Sequence, residues 1–111
     1  MTERDPREAL EQMLDFARRL QRITRARTLG DLEREETLTA SVELFLVKLG
    51  EASRRVPEDV RSAHPEIPWQ AIVAMRNRII HVYDDIDYEI VWDTVQTDLP
   101  VLIEHLERIL R

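Results

Sequence analysis

The sequence predicts an all-α fold, an up-and-down bundle of four long helices plus one short helix. Apolar residues recur at spacings of three and four along most of the chain, which is typical of a helix with one buried face. Only two glycines and five prolines occur in 111 residues, so few tight turns are expected. The composition, 43% hydrophobic and 34% charged, is that of a globular protein. This length suits one domain, which we expect to cover residues 1–111.

The composition also excludes several classes of protein and site. The chain has no cysteine, which rules out disulfides and thiolate metal sites. No apolar run approaches the roughly 20 residues of a transmembrane helix, and the first residues lack an apolar signal core. We therefore expect a cytoplasmic protein that does not bind membranes. The net charge of −6 argues against indiscriminate binding to nucleic acid, and we expect no DNA partner.

The first helix is predicted to begin at Asp5 and Pro6, with Asp5 as N-cap and the proline in the first turn. Near its end, five arginines occur with no acid between them: Arg18, Arg19, Arg22, Arg25 and Arg27. This arginine cluster has three interpretations, namely a solvated helix face, a surface that guides RNA, or a contact for the acidic surface of a partner. Gly30 is predicted to cap the end of the helix, and Asp31 to be the N-cap of the second helix.

The second helix is predicted to extend to about Val56. Gly50 lies in its interior, where a glycine costs about 1 kcal/mol relative to alanine. We therefore expect another backbone to approach closely at this position. Pro57, Pro65 and Pro68 then delimit an irregular segment that contains one short helix, because residues before proline avoid the α region.

The third and fourth long helices complete the bundle. The third is predicted to begin at Pro68 and, from its many apolar residues, to be the most buried helix of the chain. The fourth is predicted to begin after Asp87, a good N-cap, and to continue to the end of the sequence. Pro100 interrupts it, so we expect a kink within residues 96–100.

Four polar residues occur within two turns of the third helix: Arg76, Asn77, His81 and Tyr83. Buried polar groups cost free energy unless they find partners, so this stretch indicates a polar network or a functional site. On an ideal helix, Arg76 and Tyr83 project from nearly one side, and Asn77 and His81 from another. Arg76 and His81 are then about 140° apart. They converge only if the helix ends or distorts near Ile80, or if two copies of it pack across a two-fold axis.

These side chains suit the cleavage of a phosphodiester. A histidine moves protons near neutral pH and would activate a ribose 2′-hydroxyl, while an arginine binds phosphate oxygens and stabilises the developing charge. Asn77 would orient the imidazole or donate to an oxyanion. Glu43 and Glu51, at the border of the second helix's apolar stripe, are candidate partners of Arg76 or Arg78. A purely structural network of the same residues remains the alternative.

The other aromatic and histidine residues give no sign of a second site. Trp69 and Trp92 are expected to pack in the core or at a dimer interface rather than to stack on bases. His64 and His105 have no partners at metal-ligand spacing, so we interpret them as surface residues and expect no metal site.

Residues 76–83 resemble the Arg-X4-6-His motif of the HEPN superfamily, with a polar residue after the arginine. Within this motif, the pattern Arg-X4-His-X-Tyr resembles the HepT toxin family. Three further segments occur in the order that this family shows: Gly50-Glu51-Ala52, Ile67-Pro68-Trp69 and Val91-Trp92. The resemblance covers most of the chain from about Thr37.

The resemblance implies a HEPN-like helical domain that acts as a homodimeric, metal-independent endoribonuclease without a cofactor. It implies that Arg76 and His81 are catalytic and that Asn77 supports them. HepT-like proteins are toxins of type VII-like toxin–antitoxin systems, paired with a minimal nucleotidyltransferase antitoxin, MntA. The resemblance further implies that such an antitoxin transfers adenylyl groups from ATP to Tyr83, which would place an anionic group beside Arg76 and repel RNA. The alternative is a non-catalytic helical module that binds a nucleotidyltransferase or another protein.

Overall fold

The computed structural model describes residues 5–82 and 84–111, and every regular element in them is helical. The elements are α1 (Pro6–Thr24), α2 (Leu29–Arg34), α3 (Glu36–Arg54), α4 (Glu58–Ala63), α5 (Trp69–His81), α6 (Tyr88–Asp93), a π-helical segment (Thr94–Asp98) and α7 (Leu99–Leu110). The predicted all-α bundle is confirmed. It contains one more short helix than the sequence indicated.

Helix α1 lies between α3 and α7 and supplies much of the core. It begins as predicted: the Asp5 side chain accepts a hydrogen bond from the backbone N–H of Arg7 at 2.9 Å, and Pro6 occupies the first turn. Its apolar stripe is buried together with residues of α3, the π-helical segment and α7, among them Met13, Leu20, Val42, Val95 and Leu106. The contact between Phe16 and Phe45, with ring centroids 6.4 Å apart, joins α1 to α3.

The predicted start of the second helix is wrong, because the chain forms two helices, α2 and α3, where the sequence indicated one. Thr28, rather than Asp31, is the N-cap of α2, and the two residues exchange hydrogen bonds of 2.9 and 3.1 Å in a capping box. Extended backbone at Glu35, with φ −98° and ψ 100°, then separates α2 from α3. Gly30 lies inside α2 without a positive φ, so its predicted role as a cap is also wrong.

Helix α5 is not the most buried helix, contrary to the prediction. Only Ile72 and Ile79 of this helix are buried, while Ile80 and the following Val82 are 39% and 40% exposed. The physical reason is its position at the side of the bundle: among the described residues, its extensive helix contact is with α3 alone. Much of its surface therefore faces outward, which matters for the placement of the polar residues it carries.

The last predicted helix begins at the residue that the sequence indicated, and its α-helical bonding is interrupted before Pro100. The Asp87 side chain accepts hydrogen bonds from the backbone N–H groups of Glu89 and Ile90, which caps α6. The interruption near Pro100 is confirmed and takes the form of the π-helical segment, in which the N–H of Leu99 donates to the carbonyl of Thr94. Proline lacks the N–H that regular α-helical bonding requires. The helix therefore changes its pitch locally, and the neighbouring carbonyls accept hydrogen bonds from other N–H groups.

Candidate functional site

The guanidinium group of Arg76 is held by two side chains. Arg76 lies on α5 with its side chain 19% exposed, and its Nε donates to Glu51 Oε1 of α3 at 2.5 Å. Its Nη1 donates to the Oδ1 of Asn77, the next residue, at 2.6 Å. Glu51 is thus the carboxylate partner that the sequence predicted for this arginine, although the glutamate side chain is 39% exposed rather than buried.

Gly50 allows α3 and α5 to approach each other at Arg76. A Cβ atom built on Gly50 would lie 2.8 Å from the Cγ of Arg76, closer still to its Cβ, and 3.5 Å from the carbonyl oxygen of Ile72. Any residue with a side chain would collide there unless the helices moved apart. A close approach at Gly50 is found, but the atoms nearest to this glycine belong to the Arg76 side chain rather than to the expected backbone.

The nitrogens of the Arg76 guanidinium differ in their hydrogen bonds. The hydrogen bonds found between described residues use its Nε and Nη1, and none of them uses Nη2. An arginine side chain carries five N–H donors in a planar fork that suits phosphate oxygens. The arrangement therefore suits a bound phosphate.

His81 is the exposed last residue of α5. The helix is regular to this point, and the N–H of Val82 closes its last turn on the carbonyl of Arg78 at 2.9 Å. The helix therefore does not end early enough to turn the imidazole toward Arg76, and the two side chains remain about 140° apart around the axis. Of the two arrangements that would bring them together, a helix that ends or distorts before His81 is therefore not found.

Asn77 and Arg78 are both exposed on α5. The Oδ1 of Asn77 accepts a hydrogen bond from Arg76, and no hydrogen bond between Asn77 and His81 is found among the described residues. The expected role of Asn77 toward the imidazole or an oxyanion stays a prediction. Arg78 has no ion pair with Glu43 or Glu51 in the described part of the chain.

Glu43 does not belong to this site. It lies eight residues before Glu51, about 12 Å along α3, and its predicted pairing with Arg76 or Arg78 is absent from the described residues. Burial raises the pKa of the Glu43 carboxyl above its usual range. Burial first, and then the charge of Glu43, raise the pKa of the Tyr88 phenol. The charge of Glu43 therefore acts on Tyr88, the first residue of α6.

Tyr83, the predicted site of modification, lies outside the described residues. Helix α5 ends at His81, and the backbone of Val82, with φ −128° and ψ 37°, is no longer helical. The predicted placement of Tyr83 on the same side as Arg76 stays a prediction.

The arginine cluster at the end of α1 is largely paired with acids of the chain. Arg18 contacts Glu107 at 2.8 Å, Arg19 contacts Asp15 at 3.1 Å, and Arg27 pairs with Glu35. The cluster also includes Arg22 and Arg25, which are exposed and show no ion pair within residues 5–82 and 84–111. Three of the five arginines in the cluster therefore have acidic partners within the same chain.

A groove of about 460 Å³ lies between α3, α5 and the π-helical segment with α7. Its floor is apolar and includes Leu46, Leu49 and Leu102, and neither Arg76 nor His81 lines it. His105 does line it and is partly buried, with a buried Nδ1 that has no hydrogen-bond partner among the described residues. The interpretation of His105 as a surface residue is therefore wrong, because it lies between the buried and exposed sides of α7.

In the described part of the chain, no three histidine, aspartate or glutamate side chains lie close enough together to hold a metal ion. Among the helices so described, none combines the length and the apolar character needed to cross a membrane.

Comparison with known proteins places the chain in a family. A model of the family described as "Ribonuclease HepT-like" matches residues 13–109. A protein of Thermococcus cleftensis named "Probable ribonuclease HepT" is 31% identical over 106 residues, which are 96% of this chain and 96% of that protein. A protein of Caldanaerobacter subterraneus subsp. tengcongensis, named as a candidate RNase, is 30% identical over 106 residues, 96% of this chain and 95% of its own length.

A third relative, from Methanocaldococcus jannaschii and also named as a candidate RNase, is 31% identical over 107 residues, 96% of this chain and 98% of that protein. No solved structure matches the chain at a significant level. The family match spans nearly the whole sequence and includes the helix with Arg76 and His81. This chain belongs to the HepT-like ribonuclease family of the HEPN superfamily.

Proposed function

We propose that this protein is a metal-independent endoribonuclease toxin of a type VII-like toxin–antitoxin system and that it acts as a homodimer. Membership of a ribonuclease family supports RNA as the substrate. The observation that carries the proposal is the state of Arg76: its guanidinium is fixed by Glu51 and Asn77 and retains a terminal amino group for a phosphate, five residues before an exposed histidine.

The proposed reaction is transesterification within the RNA strand. A neutral His81 imidazole accepts the proton of a ribose 2′-hydroxyl, and the 2′-oxygen forms a bond to the adjacent phosphorus. Arg76 donates through Nη2 to a non-bridging oxygen, where negative charge increases in the transition state. The bond from phosphorus to the 5′-oxygen breaks, and that oxygen takes up a proton from an imidazolium. The products are a 2′,3′-cyclic phosphate and a 5′-hydroxyl end.

The helix geometry supports the proposal of a second subunit. Arg76 and His81 of one chain point in directions about 140° apart. In a two-fold dimer with α5 of each chain at the interface, Arg76 of one chain faces His81 of the partner subunit across a common cleft. The exposure of Ile80 and Val82 at the end of α5 supports an interface in this region, since a second subunit would cover these large apolar side chains.

Substitution of the two proposed catalytic residues tests the activity. Arg76→Ala and His81→Ala are each expected to lower the rate of RNA cleavage by about 100-fold or more, because each removes a group that acts on the transition state. The measurement is cleavage of total RNA, with and without EDTA, by variants whose circular dichroism and melting temperature match the wild type. His64→Ala is the matched control.

Full activity of a folded His81→Ala protein would contradict the assignment. A wild-type protein that cleaves no RNA under either condition would favour the alternative, a non-catalytic module that binds a nucleotidyltransferase or another protein.

We also propose that an MntA-like nucleotidyltransferase neutralises the toxin by adenylylating Tyr83. The phenol oxygen would attack the α-phosphorus of ATP, the bond to pyrophosphate would break, and the phenolic proton would pass to solvent. Each adenylyl group would add a negative charge and considerable bulk only two residues after His81 in the sequence, so it would compete with RNA for the positive charge of Arg76.

The chain offers a matched pair for this test, because it has two tyrosines. After co-expression with the antitoxin and ATP, intact mass spectrometry is expected to show an added adenylyl mass in the wild type and in Tyr88→Phe, but not in Tyr83→Phe. An unchanged adenylyl mass in Tyr83→Phe would assign the modification to another residue.

A further inference from the structure

We propose that Glu51 is a positioning residue that fixes the Arg76 guanidinium in the orientation that binds phosphate, and that Gly50 provides the space for it. This inference rests on the proposed ribonuclease function and concerns the same site. It assigns a role in the reaction to two adjacent residues of α3, neither of which is proposed to touch the substrate.

The two hydrogen bonds of Arg76 fix both the position and the rotation of its planar group. Glu51 holds Nε from α3 at 2.5 Å, and Asn77 holds Nη1 from α5 at 2.6 Å. A guanidinium held at one nitrogen can still turn about that contact, whereas one held at two cannot. Nη2 is consequently directed to one place, which removes the entropy that a free arginine would lose on binding a phosphate.

The charge of the site agrees with this role. The same Glu51 oxygen lies 3.6 Å from Nη1 of Arg54. The two arginines and one glutamate together have a net charge of +1, so the carboxylate holds Arg76 without cancelling the positive charge that a phosphate requires. Because Arg76 is 19% exposed, its guanidinium also needs a carboxylate nearby to offset its loss of hydration when no substrate is bound.

Gly50 is the second residue that contributes to the positioning of Arg76. The Cβ and Cγ of Arg76 lie against the bare backbone of Gly50, where an added Cβ would be 2.8 Å from Cγ. The side chain can therefore extend along α3 to the carboxylate of the next residue. A helix-interior glycine is unfavourable, and this contact gives a reason for its presence.

Three substitutions separate positioning from a merely structural role. Glu51→Ala removes both the acceptor and the charge, so kcat is expected to fall by about 10-fold or more while KM changes less, since misorientation of a catalytic group acts mainly on the chemical step. Glu51→Gln retains an acceptor oxygen, so kcat is expected to recover to within about threefold of the wild type. Glu43→Gln, on the same helix and about 12 Å away, is the matched control with unchanged kcat.

A second measurement does not depend on activity. In a 15N spectrum of the arginine side chains, the Nε–H of Arg76, assigned from its absence in Arg76→Lys, is expected to exchange slowly with water in the wild type and in Glu51→Gln. It is expected to exchange rapidly in Glu51→Ala. Equal exchange in all three proteins, or a kcat of Glu51→Ala equal to the wild type, would overturn the inference. An inactive wild-type protein with the expected exchange would instead overturn only the ribonuclease proposal.

Discussion

At the scale of single residues, Glu43 and Glu51 lie on one helix in contrasting surroundings. Glu51 is half exposed and pairs with Arg76, whereas Glu43 is partly desolvated and has no cation partner among the described residues. The sequence predicted a carboxylate partner for Arg76 but left both glutamates as candidates. Which glutamate pairs with Arg76 depends on the register of α3 against α5, and Gly50 fixes that register. The apolar pattern of a single helix contains no information about it.

The raised pKa of Glu43 gives a prediction of stability against pH. The folded protein holds the proton of this carboxyl to a higher pH than the unfolded chain does, so ionisation of Glu43 lowers the free energy of unfolding as pH rises above the ordinary glutamate range. Glu43→Gln removes that penalty. We therefore expect Glu43→Gln to raise the melting temperature at pH 7 and to have no effect at pH 4, as measured by thermal denaturation. A greater stabilisation at pH 4 than at pH 7 would contradict the assigned cause.

At the scale of elements, the helix limits followed from the sequence where a cap or a proline marks them. Asp5 and Asp87 cap helices as predicted, and α-helical bonding is interrupted before Pro100. The separation of α2 from α3 was missed because Glu35 is neither proline nor glycine. The start of α2 did have a signal, the pair Thr28 and Asp31, a threonine followed three residues later by an acid, which is close to the capping-box pattern.

The burial of α5 could not be predicted from its own sequence. Its apolar residues are numerous enough for a central helix, yet Ile80 and Val82 are exposed. Whether an apolar face is covered depends on how many neighbours pack against it, and that is a property of the bundle.

The two glycines provide a matched test of helix packing. Gly50→Ala would place a Cβ against Arg76, and we expect it to lower the free energy of unfolding by about 1–2 kcal/mol, the cost of overpacking less the gain in helix propensity. Gly30→Ala meets only the mobile end of Arg34, whose side chain is 74% exposed, and is expected to be neutral or to stabilise by up to about 1 kcal/mol.

Chemical denaturation of both glycine variants measures these differences. If Gly50→Ala were as stable as Gly30→Ala, the close contact between α3 and Arg76 would not exist in solution.

At the scale of the whole molecule, the resemblance of residues 76–83 to a known motif predicted the family, and the family match confirms it. What the sequence could not provide was the direction of each polar side chain relative to the bundle. Helical spacing alone separated Arg76 from His81, and the regular α5 retains that separation. The single domain over residues 1–111 and the homodimer stay predictions.

The central claim is that Arg76 of one chain acts with His81 of a second chain, and subunit mixing tests it most directly. Arg76→Ala and His81→Ala homodimers, each inactive alone, are mixed and allowed to exchange subunits, which is followed by copurification of two tags. Each mixed dimer contains one cleft with an intact arginine and an intact histidine. Since half of the dimers are mixed at equal proportions, we expect RNA cleavage to recover to about a quarter of the wild-type rate. A mixture that exchanges subunits fully and remains as inactive as its parents would contradict the shared site.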